Sequence, residues 1–223
     1  MNYLDLGINT IAVNDKKQSI FPWKRYQSEM ITKADLELQM ADSRAAGIGV
    51  ICGAVSGGLE VIDVDTKYET YPLWDAIKAK INADIYNKLH IVHTRSNGYH
   101  IYYRCEEIEG NQKLAQRHPT EEEMKANPQI KSYCIIETRG EGGYVVAPPS
   151  EGYTIVQQGI NFITYEERNA LFEIMRSFNE IIEEVPIEAH NRPSTKDYGL
   201  SPFEDYNKRG DIVELMERNG WKK

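Results

Sequence analysis

The stretch GIGVICGAVSGGLEVIDVD, residues 47–65, sets the first expectation for the fold. Two runs rich in β-branched residues, 47–52 and 59–65, are typical of β-strands. The glycines and the serine between these runs are typical of a tight turn. The stretch therefore predicts a β-hairpin whose second strand ends in Asp63 and Asp65.

The acidic pair at the end of this strand is a candidate metal site. Asp63 and Asp65 are two positions apart, so their carboxylates point to the same face of a sheet while Val64 points to the other. Carboxylates in an apolar run lose hydration, and a bound cation or a partner charge offsets that loss. The alternative is an exposed acidic pair in a turn at the strand end.

Two further pairs of β-like runs follow along the chain. Residues 90–95 and 99–104 flank Ser96-Asn97-Gly98, and an Asn-Gly pair is a strong hairpin signal. Residues 132–139 and 143–149 are joined by a glycine-rich segment and predict a third hairpin. The fold class that we expect is α/β (α+β), with a mixed or antiparallel sheet built from the three hairpins and with helices packed against it.

Helices are predicted at three places. Thr32 can cap an amphipathic helix over ADLELQMADSRAA, and residues 71–89 repeat apolar side chains with helical spacing. A capping-box pattern at Thr164 begins a helix that is expected to extend to Ile182. Residues 106–130 predict a loop or insertion with one helical turn at TEEEMKAN.

Length and composition limit the classes of protein to which the chain could belong. The 223 residues suffice for a catalytic domain over 1–185, followed by a linker over 186–208 and a short helical connector over 209–223. No run reaches the roughly 18 apolar residues of a membrane span, and no secretory signal is present, so we expect a cytoplasmic location and no membrane partner. The net charge of -8 counts against non-specific binding of nucleic acid, so a DNA partner would need a local basic groove.

The three cysteines are odd in number and lack a C-x-x-C pair, which predicts reduced thiols. A zinc site that joins Cys105, Cys134 and His118 is the alternative.

Glu137 ends the run CIIETR as Asp63 ends its own apolar run. If the two strands are neighbours, three carboxylates converge. Mg²⁺ and Mn²⁺ prefer oxygen ligands, and two such ions can stabilise the attacking and leaving oxygens of a phosphoryl transfer. A salt bridge with Arg139 explains Glu137 equally well.

The turn before His100 has the groups that bind phosphate. Arg95 supplies a cation, Ser96 a hydroxyl, and Gly98 a free backbone amide. His100 can donate a hydrogen bond to a phosphate oxygen, although a single histidine on a strand is more often structural.

Taken in order, four segments resemble the bifunctional primase-polymerase domain of the archaeo-eukaryotic primase superfamily. They are FPWKRYQ (21–27), VIDVD (61–65), HTRSNGYH (93–100) and IIETRGEGGYVVAPPS (135–150). The resemblance spans roughly residues 1–185 and implies a catalytic core similar to an RNA-recognition motif.

The resemblance implies template-directed nucleotidyl transfer by a DNA primase or DNA polymerase, in replication or priming. Asp63, Asp65 and Glu137 would bind two Mg²⁺ or Mn²⁺ ions and, with His100, form the catalytic set. The implied nucleotide-binding residues are Arg95, Ser96, Gly98, His100 and Arg139. The implied substrates are ribo- or deoxyribonucleoside triphosphates, and the implied partners are a single-stranded DNA template, a primer, and a fused or associated helicase.

Two rival functions fit the same residues. D-x-D, His and Glu also form two-metal nuclease sites, which would shorten DNA instead of lengthening it. A catalytically silent nucleic-acid-binding module of a replisome would bind DNA without incorporating nucleotides under any metal.

Overall fold

Two antiparallel sheets form the framework of the computed structural model, which describes residues 2–181. The strands are β1 Thr10–Val13, β2 Gly47–Ile51, β3 Leu59–Val64, β4 His90–His93, β5 Tyr99–Arg104, β6 Lys113–Arg117, β7 Tyr133–Arg139, β8 Tyr144–Ala147 and β9 Thr154–Gln157. The smaller sheet has the strand order β1-β2-β8 and the larger has the order β6-β7-β3-β5-β4-β9. The predicted linker over 186–208 and connector over 209–223 lie outside the described residues.

Five α-helices accompany the sheets in this part of the chain. They are α1 Lys33–Met40, α2 Leu73–Lys80, α3 Ala83–Tyr86, α4 Glu121–Ala126 and α5 Tyr165–Arg176. None of the helices described is long and apolar enough to cross a membrane.

Strand β3 is covered on both faces, which explains its nearly continuous apolar sequence. Ile62 and Val64 belong to a core shared with α2 and α5. Leu59 and Val61 point to the other face and belong to a core shared with the smaller sheet. The positions that continue this second face toward the strand end carry the acidic residue Asp63, so the apolar core gives way to a polar site there.

A buried ion pair joins helix α5 to β3. The guanidinium of Arg168 donates to both carboxylate oxygens of Glu60, over 2.6 and 2.9 Å. The hydroxyl of Tyr103 donates to the same carboxylate over 2.7 Å. The pair is almost inaccessible to solvent, so these hydrogen bonds replace the lost hydration of both charges.

The prediction of a hairpin over residues 47–65 is wrong. β2 pairs with β1 and β8, whereas β3 pairs with β5 and β7, and only an isolated bridge from Gly53 to Leu59 connects the two strands. Gly53, Gly57 and Gly58 have positive φ angles and direct the chain from one sheet to the other. A glycine-rich segment permits either route, and the pattern of the two strands does not say which partner each will take.

The third predicted hairpin is wrong for the same reason. β7 lies in the larger sheet and β8 in the smaller, and the glycine-rich segment between them crosses over. The second predicted hairpin is confirmed, since β4 pairs with β5 from His90–Tyr102 to His93–Tyr99 around the Asn-Gly turn.

The helix predictions are confirmed in place but not always in length. Thr32 caps α1, and the capping box at Thr164 begins α5, which ends at Arg176 instead of extending to Ile182. The helix expected over 71–89 is divided, because Ile81 is extended and the Asn82 side chain caps a new helix, α3.

The region 106–130, expected to be a loop with one helical turn, contains that turn as α4. It also contains β6, which extends the larger sheet beside β7 through an irregular register. The sequence KLAQR lacks the β-branched residues that would have indicated a strand.

Candidate active site

The register of the larger sheet brings three predicted site residues together. Asp63 on β3 is the direct cross-strand partner of His100 on β5 and of Glu137 on β7. Directly opposed residues of antiparallel strands project to the same face of the sheet. The two carboxylates therefore lie side by side, with the imidazole on the far side of Asp63.

Asp63 lies in an environment that disfavours its charge. Burial raises the pKa of Asp63 to about 6, and the negative charge of Asp65 acts in the same direction, while Arg139 and Lys17 oppose it. Its side chain still keeps 27% of its exposure, so one side of the carboxylate remains open.

His100 is a neutral imidazole next to this carboxylate. Its Nε2 atom is 3.6 Å from Asp63 Oδ1, and the side chain is almost completely buried. Burial lowers the pKa of His100 to about 3, and the charges of Lys17 and Arg139 lower it further. The contact with Asp63 is therefore not an ion pair at neutral pH.

Glu137 forms the ion pair with Arg139 that its sequence context suggested as an alternative role. Burial raises the pKa of Glu137 even so; Arg139 lowers it, and the neighbouring charge of Asp63 raises it. Glu137 thus forms a salt bridge with Arg139 and also lies beside the carboxylate of Asp63.

Asp65 follows the end of β3 and makes local contacts. Its carboxylate accepts a hydrogen bond from Lys67 N over 2.9 Å, and its amide donates to Ile135 O over 2.9 Å. Within residues 2–181, no three side chains of His, Cys, Asp or Glu form a group that could hold a metal ion as they stand. This applies to the predicted set Asp63, Asp65 and Glu137 and to the alternative set Cys105, Cys134 and His118. All three cysteines are free thiols.

The chemistry of these carboxylates nevertheless suits a divalent cation. Asp63, Glu137 and Asp65 supply the hard oxygen donors that Mg²⁺ and Mn²⁺ prefer. Burial disfavours the charged forms of Asp63 and Glu137 and raises the pKa of both, and a nearby cation would stabilise those charged forms.

A cavity of about 370 Å³ opens beside Asp63, between the two sheets, and we call it the main cavity because it adjoins the candidate site. One part of its wall is charged and the other aromatic, where Trp23 and Tyr144 meet edge to face with ring centroids 4.9 Å apart. The charged and polar side chains that line it are Lys17, Asp63, His100, Asn111 and Arg139.

A second cavity, of about 270 Å³, shares Lys17, Val146 and Tyr153 with the first. In the predicted phosphate-binding turn, Arg95 lines this second cavity, whereas Ser96 and Gly98 line neither. Gly98 closes the turn, since its amide donates to Thr94 Oγ1 over 3.0 Å. That amide is therefore already used inside the turn.

A comparison with protein families matches the model of the N-terminal domain of bifunctional DNA primase/polymerase, called Prim-Pol, over residues 1–167. The chain belongs to the Prim-Pol family. Membership of this family indicates nucleotidyl transfer of the DNA primase or DNA polymerase type in general. A search of curated proteins found no match to the chain.

Four tyrosines on the site strands of this Prim-Pol domain differ in their surroundings. Tyr102 and Tyr103 are buried, and Tyr99 stacks on Trp74 with centroids 4.3 Å apart. Tyr144 lines the main cavity. Tyr102 has another contact, because its hydroxyl is 3.3 Å from Nδ1 of His100.

Sequence reasoning missed four residues that line the main cavity of the Prim-Pol domain: Lys17, Trp23, Asn111 and Tyr153. Trp23 lies in one of the segments that carry the family resemblance, so a signal for it existed. Lys17 is one of two adjacent lysines in a polar turn, and nothing in the local sequence distinguishes it from Lys16.

Proposed function

We propose that this domain adds nucleotides to a DNA strand under the direction of a single-stranded template, with two divalent metal ions, in DNA replication or priming. Family membership supports nucleotidyl transfer in general. The specific roles rest on the residues around the main cavity.

The observation that carries the proposal is the cross-strand row of Glu137, Asp63 and His100 on three adjacent strands. Asp63 and the neutral imidazole of His100 line a cavity that also has two cations and an aromatic wall, and Glu137 lies beside Asp63 on the neighbouring strand. A nucleoside triphosphate needs these three kinds of group: ligands for its metal ions, donors for its phosphates, and a surface for its base.

Asp63, Asp65 and Glu137 would hold two Mg²⁺ or Mn²⁺ ions. When bound, such ions favour ionisation of the attacking 3′-hydroxyl and neutralise the charge of the triphosphate. Arg139, which already pairs with Glu137, lies beside the same cavity and would contribute a positive charge to the phosphates.

His100 is proposed to donate a hydrogen bond from Nε2 to a phosphate oxygen. Because its pKa is about 3, the ring donates as neutral imidazole and carries no charge at neutral pH. Donation from the hydroxyl of Tyr102 to Nδ1 would keep the proton on Nε2. Arg95, Ser96 and Gly98, in the turn between β4 and β5, are proposed to shape the nucleotide site from its edge.

The test is incorporation of labelled ATP and dATP on single-stranded DNA, with and without a primer, in Mg²⁺ and in Mn²⁺. The variants are Asp63→Asn and Glu137→Gln, which keep size while removing charge. Wild type is expected to lengthen the DNA, and each variant to lose roughly a hundredfold or more of the rate. Glu122→Gln, on the exposed face of α4, is the matched control and should retain the wild-type rate.

Products formed without a primer would identify a primase, and products formed only from a primer would identify a polymerase. Shortening of the DNA would instead identify a nuclease. Binding of DNA by a folded wild type that incorporates neither nucleotide under either metal would contradict the proposal.

A further inference from the structure

The loop after β1 holds Lys17 in a defined position. Lys17 has a φ angle of 64°, in the left-handed region that residues other than glycine seldom adopt. The side chain of Asn14 stabilises this turn by accepting hydrogen bonds from Lys16 N and Gln18 N over 3.0 and 2.9 Å. The hydroxyl of Tyr144 donates to Lys17 O over 2.9 Å and ties the turn to the wall of the main cavity.

Lys17 stands where the two cavities meet. It lines both of them, and its Nζ atom is 3.4 Å from Ser96 Oγ, on the turn between β4 and β5. A group bound beside His100 and Asp63 therefore lies next to Lys17 as well.

The other cations of this region are already engaged. Arg139 is paired with Glu137, and the guanidinium of Arg95 donates to Asp15 O over 2.7 Å. Within residues 2–181, Lys17 forms no salt bridge. Its charge is thus available to an anionic ligand at the cavity.

Arg95 acts on the loop that carries Lys17. Its guanidinium holds the backbone of Asp15, and its side chain lies so close to Gly152 that a Cβ there would be 2.7 Å from Arg95 Cγ. Arg95 is therefore fixed between two backbone segments.

We propose that Lys17 binds the triphosphate of the incoming nucleotide, and that Arg95 is a positioning residue that holds the Lys17 loop in place. The proposal rests on the function proposed above and names the chain's own contact to that substrate. It also separates Lys17 from Lys16, which carries the same charge one position earlier but lines neither cavity.

The test is equilibrium binding of dATP and dAMP to the full chain, measured by titration calorimetry with Ca²⁺ to limit turnover. Lys17→Gln is expected to weaken dATP binding by about tenfold or more, because it removes a charge-assisted hydrogen bond. Binding of dAMP should change much less. Lys16→Gln is the matched control and should bind both nucleotides as wild type does.

Equal losses for dATP and dAMP, or the same loss in Lys16→Gln, would overturn the role of Lys17. Lys17→Arg keeps the charge and should retain most of the dATP affinity, which separates a lost contact from a misfolded variant.

The role of Arg95 is tested by a double-variant cycle. If Arg95 acts through Lys17, Arg95→Gln weakens dATP binding in the wild-type background and has little further effect in the Lys17→Gln background. Additive losses would show that Arg95 binds the nucleotide independently and would overturn the positioning role.

The results also separate this proposal from the proposed function. Lys17-dependent dATP binding without incorporation would support the nucleotide contact and contradict the polymerase. Incorporation by wild type, together with a dATP affinity that Lys17→Gln leaves unchanged, would support the polymerase and contradict the nucleotide contact of Lys17. A wild type that binds no dATP would overturn both.

Discussion

The charge of Asp63, which the proposed metal site requires, destabilises the folded protein when no metal ion is bound. Its pKa rises from 3.8 to about 6 on folding, so the folded protein binds a proton there more tightly than the unfolded chain does. Ionisation of Asp63 therefore costs stability. The cost grows as the pH rises through this interval and is complete above it.

Asp63→Asn is expected to stabilise the metal-free protein at pH 8. The Asn amide has nearly the same shape as the Asp carboxylate but lacks its poorly solvated charge. The gain is at most about 3 kcal/mol. It should disappear below pH 3.8, where wild-type Asp63 is protonated in both states. Urea denaturation in EDTA at several pH values measures it.

Glu122→Gln serves as the control for this prediction, since Glu122 is exposed and the substitution should change stability little. An Asp63→Asn protein that is less stable than wild type at pH 8 would show that the carboxylate is well satisfied without a metal ion.

Helix α5 is attached to strand β3 by a buried charge pair as well as by apolar packing. Arg168→Ala leaves the carboxylate of Glu60 buried without its cation, so the free energy of unfolding should fall by about 3–5 kcal/mol. Arg176→Ala is the matched control on the same helix, because Arg176 pairs with Glu173 at an exposed i,i+3 position and should cost less than about 1 kcal/mol.

Chemical denaturation of the two arginine variants gives the comparison directly. Similar losses for both would mean that the Glu60 contact contributes no more than a surface pair does.

Local signals in the sequence predicted elements better than they predicted the partners of those elements. The caps at Thr32 and Thr164 and the Asn97-Gly98 turn act within a few residues, and the structure confirms all three. β2 pairs with β8, which lies far away in the sequence, so no local signal indicates this partner. Strands that follow one another along the chain and are joined by glycines were therefore wrongly predicted to pair as hairpins.

The candidate site forms only in the whole molecule, because it depends on a strand order that the sequence does not predict. The acidic residues were found because each ends an apolar run, but their meeting requires β7 to lie beside β3. Lys17 was missed because its turn approaches the cavity only when the smaller sheet covers the larger. No periodicity in the sequence encodes that contact.

The row of Glu137, Asp63 and His100 is proposed to serve templated nucleotide addition. The most direct measurement is which nucleotide is added to one primer end opposite each of the four template bases, by wild type and by Glu137→Gln, with the extended primers resolved by length. We predict that wild type adds the complementary nucleotide in each case and that Glu137→Gln adds almost none. Addition that ignores the template base would contradict templated synthesis, and an unchanged rate in Glu137→Gln would contradict the role of the row.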